Sequence, residues 1–207
     1  MHIHLIRHGK TLANELRLYC GRSDPKLSAG GIAELLSLKK LGIFPKNNDI
    51  YFTSGLKRSE HTLNILYGSK HRQIIPQLSE YNFGEFEMKS HEELSGRADY
   101  QSWINDETGK ISCPSGESKQ DFNRRVSEGY EKLYSLVESG LSTSVLVICH
   151  GGVIACVMEK LFPDTKNFYE WLPKPGRGYT LVYTPCESRR PDRSKYTPAL
   201  PCSFKNI

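Results

Sequence analysis

The sequence predicts an α/β protein: a mostly parallel sheet covered by helices on both faces, with an inserted, partly helical segment. Three observations predict it. Short apolar runs alternate with stretches of helical period. The strand candidates are nearly continuous in apolar residues, as strands buried on both faces must be. The chain, with 207 residues, 38% of them hydrophobic and 25% charged, is long enough to bury one sizeable core and too apolar for wholesale disorder.

The elements follow in order. Ile3-His4-Leu5-Ile6 is a short strand that breaks at Arg7-His8-Gly9. Ser28 then precedes Ile32, Leu35, Leu36 and Leu38, an apolar stripe with a Ser cap. Ile50 to Thr53 reads as a buried strand ending at Ser54-Gly55, and Leu56 to Tyr67 as a helix stopped by Gly68. Gln73-Ile74-Ile75 is another short strand before Pro76. From Tyr81 to Ser115 the alternation stops, and an inserted segment anchored by Tyr100 and Trp103 is expected to lie across the core. Lys119 to Val137 repeats apolar residues every three or four positions and reads as a helix. Val145 to Cys149 is the clearest strand; it breaks at His150-Gly151-Gly152, and Val153 to Leu161 reads as a helix. Tyr179 to Tyr183 is a final strand. A single domain over 1–184, with its insertion at about 81–115, and a mobile basic, Pro-rich tail over 185–207 are the expected organisation.

Charge and cysteine content narrow the function classes. The net charge is +5, and Arg189 to Lys195 alone contributes +3, from four positive residues and one negative. The rest is nearly balanced, which argues against a broad nucleic-acid-binding face. No apolar run reaches the roughly 20 residues of a membrane helix. The start has no basic stretch followed by an apolar one, so no secretion signal and a cytoplasmic location are expected. Six scattered cysteines without C-x-x-C spacing read as reduced thiols, not a zinc site.

In an open parallel sheet, ligands bind at the carboxyl ends of the strands. Two strands end there in His-Gly, at His8 and His150, each followed by a turn or helix whose free N–H groups suit an anion. One such histidine reads as structural; two at equivalent places point to one crevice. Arg7 adjoins His8, Arg58 lies one turn into the helix after the Ile50 strand, and Arg22 sits in a Gly-containing loop. Glu80 follows the Gln73 strand at the same edge. Each alone reads as a surface charge. Together they suit phosphoryl transfer: guanidinium forks match the equatorial oxygens, and a neutral imidazole is the in-line nucleophile. A carboxylic acid beside a phosphate dianion can protonate the leaving alkoxide. This chemistry requires no metal and no cofactor.

At these residues the chain resembles the histidine phosphatase superfamily, the phosphoglycerate-mutase-like group. The matching pieces are Leu5-Ile6-Arg7-His8-Gly9-Lys10-Thr11 with Asn14, Ser54-x-x-x-Arg58-x-x-x-Thr62, Leu78-x-Glu80-x-x-Phe83-Gly84-x-x-Glu87, and His150-Gly151-Gly152. The resemblance implies that His8 becomes a phosphohistidine and that Arg7, Arg58 and His150, with Gly151 beside it, hold the phosphoryl group. It also implies Asn14 as a phosphate contact, the Cys20-Gly21-Arg22 loop near the substrate, and Glu80 as proton donor. Lys10 departs from the Glu common at that position. Phe83 to Met88, Tyr100-x-x-Trp103, Pro114-x-Gly116-Glu117 and Phe122-x-x-Arg125-Val126 are similar to small phosphatases, the α-ribazole phosphatases of cobalamin assembly above all.

The expected activity is hydrolysis of a small phosphorylated metabolite by a monomer or homodimer, with a cofactor-dependent phosphoglycerate mutase as the alternative. Two further classes were weighed. A metal hydrolase on His2-x-His4 is opposed by its place at the amino end of the first strand. A binder without turnover has no use for both His8 and Glu80.

Overall fold

The computed structural model describes residues 1–139, 143–183 and 203–207. The first strand, β1 (His2–Arg7), leads through a short helix, α1 (Leu12–Glu15), to α2 (Ala29–Lys40). Next come β2 (Ile50–Thr53), α3 (Lys57–Tyr67) and β3 (Gln73–Ile74). The insertion contributes a 3₁₀ turn at Gly84–Phe86 and two short helices, α4 (His91–Leu94) and α5 (Ala98–Ile104). A long helix, α6 (Lys119–Ser139), precedes β4 (Ser144–Cys149), α7 (Gly151–Leu161), α8 (Phe168–Trp171) and β5 (Gly178–Val182), and β6 (Ser203–Asn206) ends the chain.

The six strands form one sheet in the order β3-β2-β4-β1-β5-β6. The first four are parallel, and β5 and β6 join antiparallel, so the expected mostly parallel sheet holds. Strand residues point to alternate faces, which splits the apolar run of β4 between two cores. Val145, Val147 and Cys149 pack with Phe122, Val126, Leu133 and Ile154 under α6, α7 and the insertion. Leu146 and Ile148 pack with Leu35 and Leu63 under α2 and α3. Each such side chain, fully buried, contributes about 1.5–3 kcal/mol of transfer free energy.

Local chemistry accounts for the ends of the elements. Ser28 caps α2 by accepting the Gly31 N–H at 3.0 Å, as its sequence position predicts. The N-terminus of α3 has no local cap; Asp24 reaches it from another loop and accepts the Lys57 N–H at 2.6 Å. The insertion lies across the α6 face, where Trp103 donates to the Tyr81 hydroxyl at 3.0 Å and Tyr100 is fully buried.

One expectation is corrected. The 185–207 tail was expected to be mobile, yet its last residues form β6, and Phe204 packs edge-on against Trp171 and Phe162. An aromatic anchor and a free sheet edge outweigh the Pro-rich composition that precedes them. The remainder of that tail, from 185 to 202, lies outside the described residues. Among the described residues no helix is long and apolar enough to cross a membrane, and no three metal-ligating side chains converge.

Candidate active site

Strand register decides what meets at the carboxyl edge. Arg7 of β1 pairs with Cys149 of β4, and Thr53 of β2 pairs with Ile148. The next residues, His8, Ser54 and His150, therefore emerge side by side. The two imidazole rings stand 5.1 Å apart, edge to face. Both are buried, His8 at 4% and His150 at 0% exposure, and Arg58 beside them is 1% exposed.

The tautomer of His8 is fixed by its own turn. Its Nδ1–H donates to the Gly9 carbonyl at 2.7 Å, which leaves the lone pair on Nε2. Arg58 Nε–H donates to that lone pair at 3.3 Å. Burial first, then the charges of Arg58 and Arg7, hold the His8 pKa well below the ordinary value, so the ring is neutral near pH 7. Gly9 is locked in turn: its N–H donates to Thr62 Oγ1 at 3.0 Å, and that hydroxyl donates to the Arg58 carbonyl at 2.7 Å.

His150 is held by a hydroxyl chain. Ser59 donates to the Leu56 carbonyl at 2.7 Å, so it must accept from Ser54, 3.0 Å away. Ser54 has then used its proton and must accept from His150 Nε2–H, at 2.8 Å. His150 is thereby left with a buried Nδ1 that has no protein partner. Its pKa is also held well down, by burial and then by Arg58, His8, Arg7 and Arg125.

Cationic groups are positioned as firmly. Arg58 donates from Nη2 to the Gly21 carbonyl at 2.7 Å and from Nη1 to the Ser23 carbonyl at 2.8 Å, and pairs with Asp24 at 3.3 Å. Arg7 donates from Nη1 to the Pro173 carbonyl at 2.8 Å, and its buried Nε has no partner. Gly151 gives that guanidinium room, since a Cβ there would lie 3.1 Å from it. The orphaned Nε–H of Arg7 marks a place prepared for an acceptor oxygen, while the bare Nδ1 of His150 is free to take a proton.

Glu80 reaches the start of α7. Its Oε2 accepts from Gly152 N at 3.0 Å and its Oε1 from Tyr81 N at 3.0 Å. Arg125 of α6 steadies that loop by donating to the carbonyls of Gln77, Ser79 and Glu80 while pairing with Glu117 at 2.6 Å.

Other predicted residues stand differently. Asn14 uses Oδ1 to accept from Thr11 N at 3.1 Å, and lines a cavity of about 470 Å³ that it shares with Arg7. Gly21 contributes backbone: a Cβ there would lie 1.5 Å from the Tyr81 carbonyl oxygen. Cys20 turns its Sγ to the Ser23 carbonyl at 3.3 Å, and burial pushes its thiol up to about 11. Arg22 is exposed and gives only its N–H, to Glu87 at 2.9 Å. The side chains of Cys20 and Arg22 thus make no contact with the two imidazoles. His2 and His4 stack 6.1 Å apart at the opposite end of β1.

Sequence reasoning quoted Ser54, Thr62, Glu87, Glu117 and Arg125 as motif positions but assigned them no role. Glu87 accepts the N–H groups of Gly21, Arg22, Ser23 and Phe83, which fixes the loop whose carbonyls grip Arg58. Asp24 carries no sequence signal, because its partners lie more than thirty positions away.

The chain matches the Histidine phosphatase superfamily (branch 1) over residues 3–187. It is 33% identical over 165 residues to the adenosylcobalamin/alpha-ribazole phosphatase of Escherichia coli K12, covering 78% of this chain and 79% of that one. It is 32% identical over 191 residues to a 2,3-bisphosphoglycerate-dependent phosphoglycerate mutase of Bartonella henselae, covering 87% and 90%. Among solved structures, the alpha-ribazole phosphatase of Shigella flexneri superposes with a TM-score of 0.77 at 28% identity, over 89% of this chain and 91% of that one. A neutral, buried histidine among guanidinium groups, a carboxylate at the start of the helix after His150 and these matches converge: the chain belongs to the histidine phosphatase superfamily.

Proposed function

We propose that the chain is a phosphomonoesterase that transfers a phosphoryl group from a small phosphate ester to His8 and then to water. The observation that carries this reading is the Nε2 lone pair of His8, kept unprotonated inside a buried cationic cradle. Guanidinium groups supply the charge stabilisation, so the reaction requires no metal.

When the ester arrives, Arg58 Nε gives up its bond to His8 and turns to a phosphoryl oxygen, alongside Arg7. The lone pair then attacks phosphorus in line, the N–P bond forms, and the P–O bond to the alcohol breaks. His150, anchored through Ser54, takes onto Nδ1 the proton of the monoanionic ester and offers it back as a hydrogen bond to the phosphoryl oxygen that lost it. Glu80 delivers a proton to the departing alkoxide. The resulting carboxylate takes a proton from water, whose oxygen attacks phosphorus; the N–P bond breaks and the His8 lone pair returns.

The matches to alpha-ribazole phosphatases support α-ribazole 5′-phosphate as one substrate. The match to a phosphoglycerate mutase supports a second reading, in which the phosphohistidine returns phosphate to an alcohol. Rapid quenching with a ³²P-labelled ester should trap acid-labile label on His8. His8→Ala should lower turnover about 10⁴-fold, on the order of 5.5 kcal/mol of barrier. Full turnover by His8→Ala would end the proposal, and label recovered on phosphoglycerate faster than as free phosphate would favour the mutase.

A further inference from the structure

Beside the cradle, the cavity of about 470 Å³ is lined by Arg7, Lys10, Asn14, Arg17, Tyr19 and His91. Its volume suits a small ligand. Among the described residues it is lined by no carboxylate. Arg7 belongs to the phosphoryl cradle, with Arg58 as its companion, and those two guanidinium groups match the charge of a monoester dianion. Lys10 and Arg17 are surplus. Lys10 has only a distant exposed partner, Glu34 at 3.9 Å, a pair of little worth in water.

Arg17 is the more informative of the two. It sits at φ 54°, in the left-handed region that glycine occupies most easily. The reason is local: Leu18 N–H bonds the Ala13 carbonyl at 2.9 Å and Arg17 N–H the Asn14 carbonyl at 3.4 Å, the pattern that ends a helix around one left-handed residue. Glycine or asparagine is the usual choice there. The strained backbone instead carries an arginine that lines the cavity and whose guanidinium has no partner among the described residues. Opposite it, His91 Nδ1 is tied to the Tyr100 hydroxyl at 2.6 Å, and Tyr100 is tied to the Tyr19 hydroxyl at 2.7 Å. Both phenols are thus occupied, and the charged side chains that line the cavity, Arg7, Lys10 and Arg17, are all cations.

We propose that Lys10, Arg17 and His91 form a second anion subsite, selecting phosphate esters whose alcohol carries a further carboxylate or phosphate. This rests on the phosphatase reading and narrows its substrate class. α-Ribazole 5′-phosphate, whose base is uncharged near pH 7, then ranks below an ester bearing a second negative group.

The test compares 4-carboxyphenyl phosphate with its neutral isostere 4-carbamoylphenyl phosphate; 4-phosphonophenyl phosphate distinguishes a phosphate-type from a carboxylate-type second group. The wild type should favour the carboxylate in kcat/KM by about tenfold, and Arg17→Gln should abolish most of that ratio. Arg17→Gly should lose the ratio as well while keeping a Tm at or above the wild-type value, a combination that a purely structural arginine would not produce. A wild-type ratio near one, or a ratio that Arg17→Gln leaves intact, overturns the subsite. If no ester releases phosphate, the phosphatase reading fails separately. The subsite is then read by calorimetry on His8→Ala, where the charged ester should bind about tenfold tighter than the neutral one and lose that margin when Arg17→Gln is added.

Discussion

Arg58, whose charge acts on Arg7, and Arg17, which lines a cavity with Arg7, could hardly be treated more differently. Arg58 is almost fully buried, with its three nitrogens engaged by His8, Gly21, Ser23 and Asp24. Arg17 is exposed, its guanidinium unpartnered among the described residues and its backbone in a region most side chains avoid. The interior half of the site is organised before any ligand arrives, which spares the transition state the cost of arranging it. The mouth keeps its charges loose and free. Phosphoryl chemistry is common to many esters and can be built into the sheet edge; on the proposed reading, selection among alcohols falls to side chains on the surrounding loops.

Perturbing the interior half should therefore cost far more than perturbing surface positions of similar chemistry. The largest effect is expected from Gly21→Ala, whose Cβ would sit 1.5 Å from the Tyr81 carbonyl oxygen and push apart the loop that grips Arg58. A loss of about 3 kcal/mol or more in urea unfolding is expected, with activity lost in parallel. Gly30→Ala in α2, whose Cβ would meet nothing nearer than 3.4 Å, should instead gain about 0.5–1 kcal/mol. Equal effects at the two positions would erase the contrast.

Acid titration sharpens the comparison next. His8 and His150 have folded pKa values below the unfolded value of 6.5, by burial and then by neighbouring positive charge. His4 is pushed down to about 4 by burial and by His2. The unfolded chain thus binds more protons than the folded one just below pH 6.5. Stability is fully present above that value and falls as the pH drops toward the folded pKa values, by up to about 1.4 kcal/mol per pH unit for each group. Urea midpoints between pH 7 and 5 measure this, and His150→Asn should flatten the slope by one group's share.

The smallest interior effect expected is that of Ser54→Ala. Removing the acceptor of His150 Nε2–H frees the ring to take the other tautomer, and kcat should fall about tenfold with little change in KM. Ser54→Thr, which keeps the hydroxyl, should recover part of the loss. An unchanged kcat in Ser54→Ala would mean that the serine chain does not orient the histidine.

How legible each half was in the sequence follows from the range of its interactions. The His-Gly ends of β1 and β4, the apolar runs before them and the helix carrying Arg58 are local patterns, and the rule of carboxyl strand ends brings them together. Glu87 shows the limit. Its four backbone donors come from two loops, so the carboxylate reads as one more surface charge until the fold is known. Arg17 was passed over for a related reason: no sequence pattern announces a left-handed arginine at the end of a four-residue helix. Arg22 shows the same limit, since a motif places its loop but does not foretell that its backbone N–H is what Glu87 holds. The final strand was missed because a proline-rich composition masked a short segment held by a single aromatic ring.

That strand has a practical consequence. β6 pairs with β5 from Ser203 to Asn206, covering hydrogen-bonding groups of Gly178, Thr180 and Val182 that would otherwise stand bare, and Lys205 places a charge on the new border. A version of the protein shortened by five residues would present β5 as a vacant template for foreign strands. Self-association after such a truncation, seen by light scattering, would reflect lost protection and not a change in catalytic chemistry.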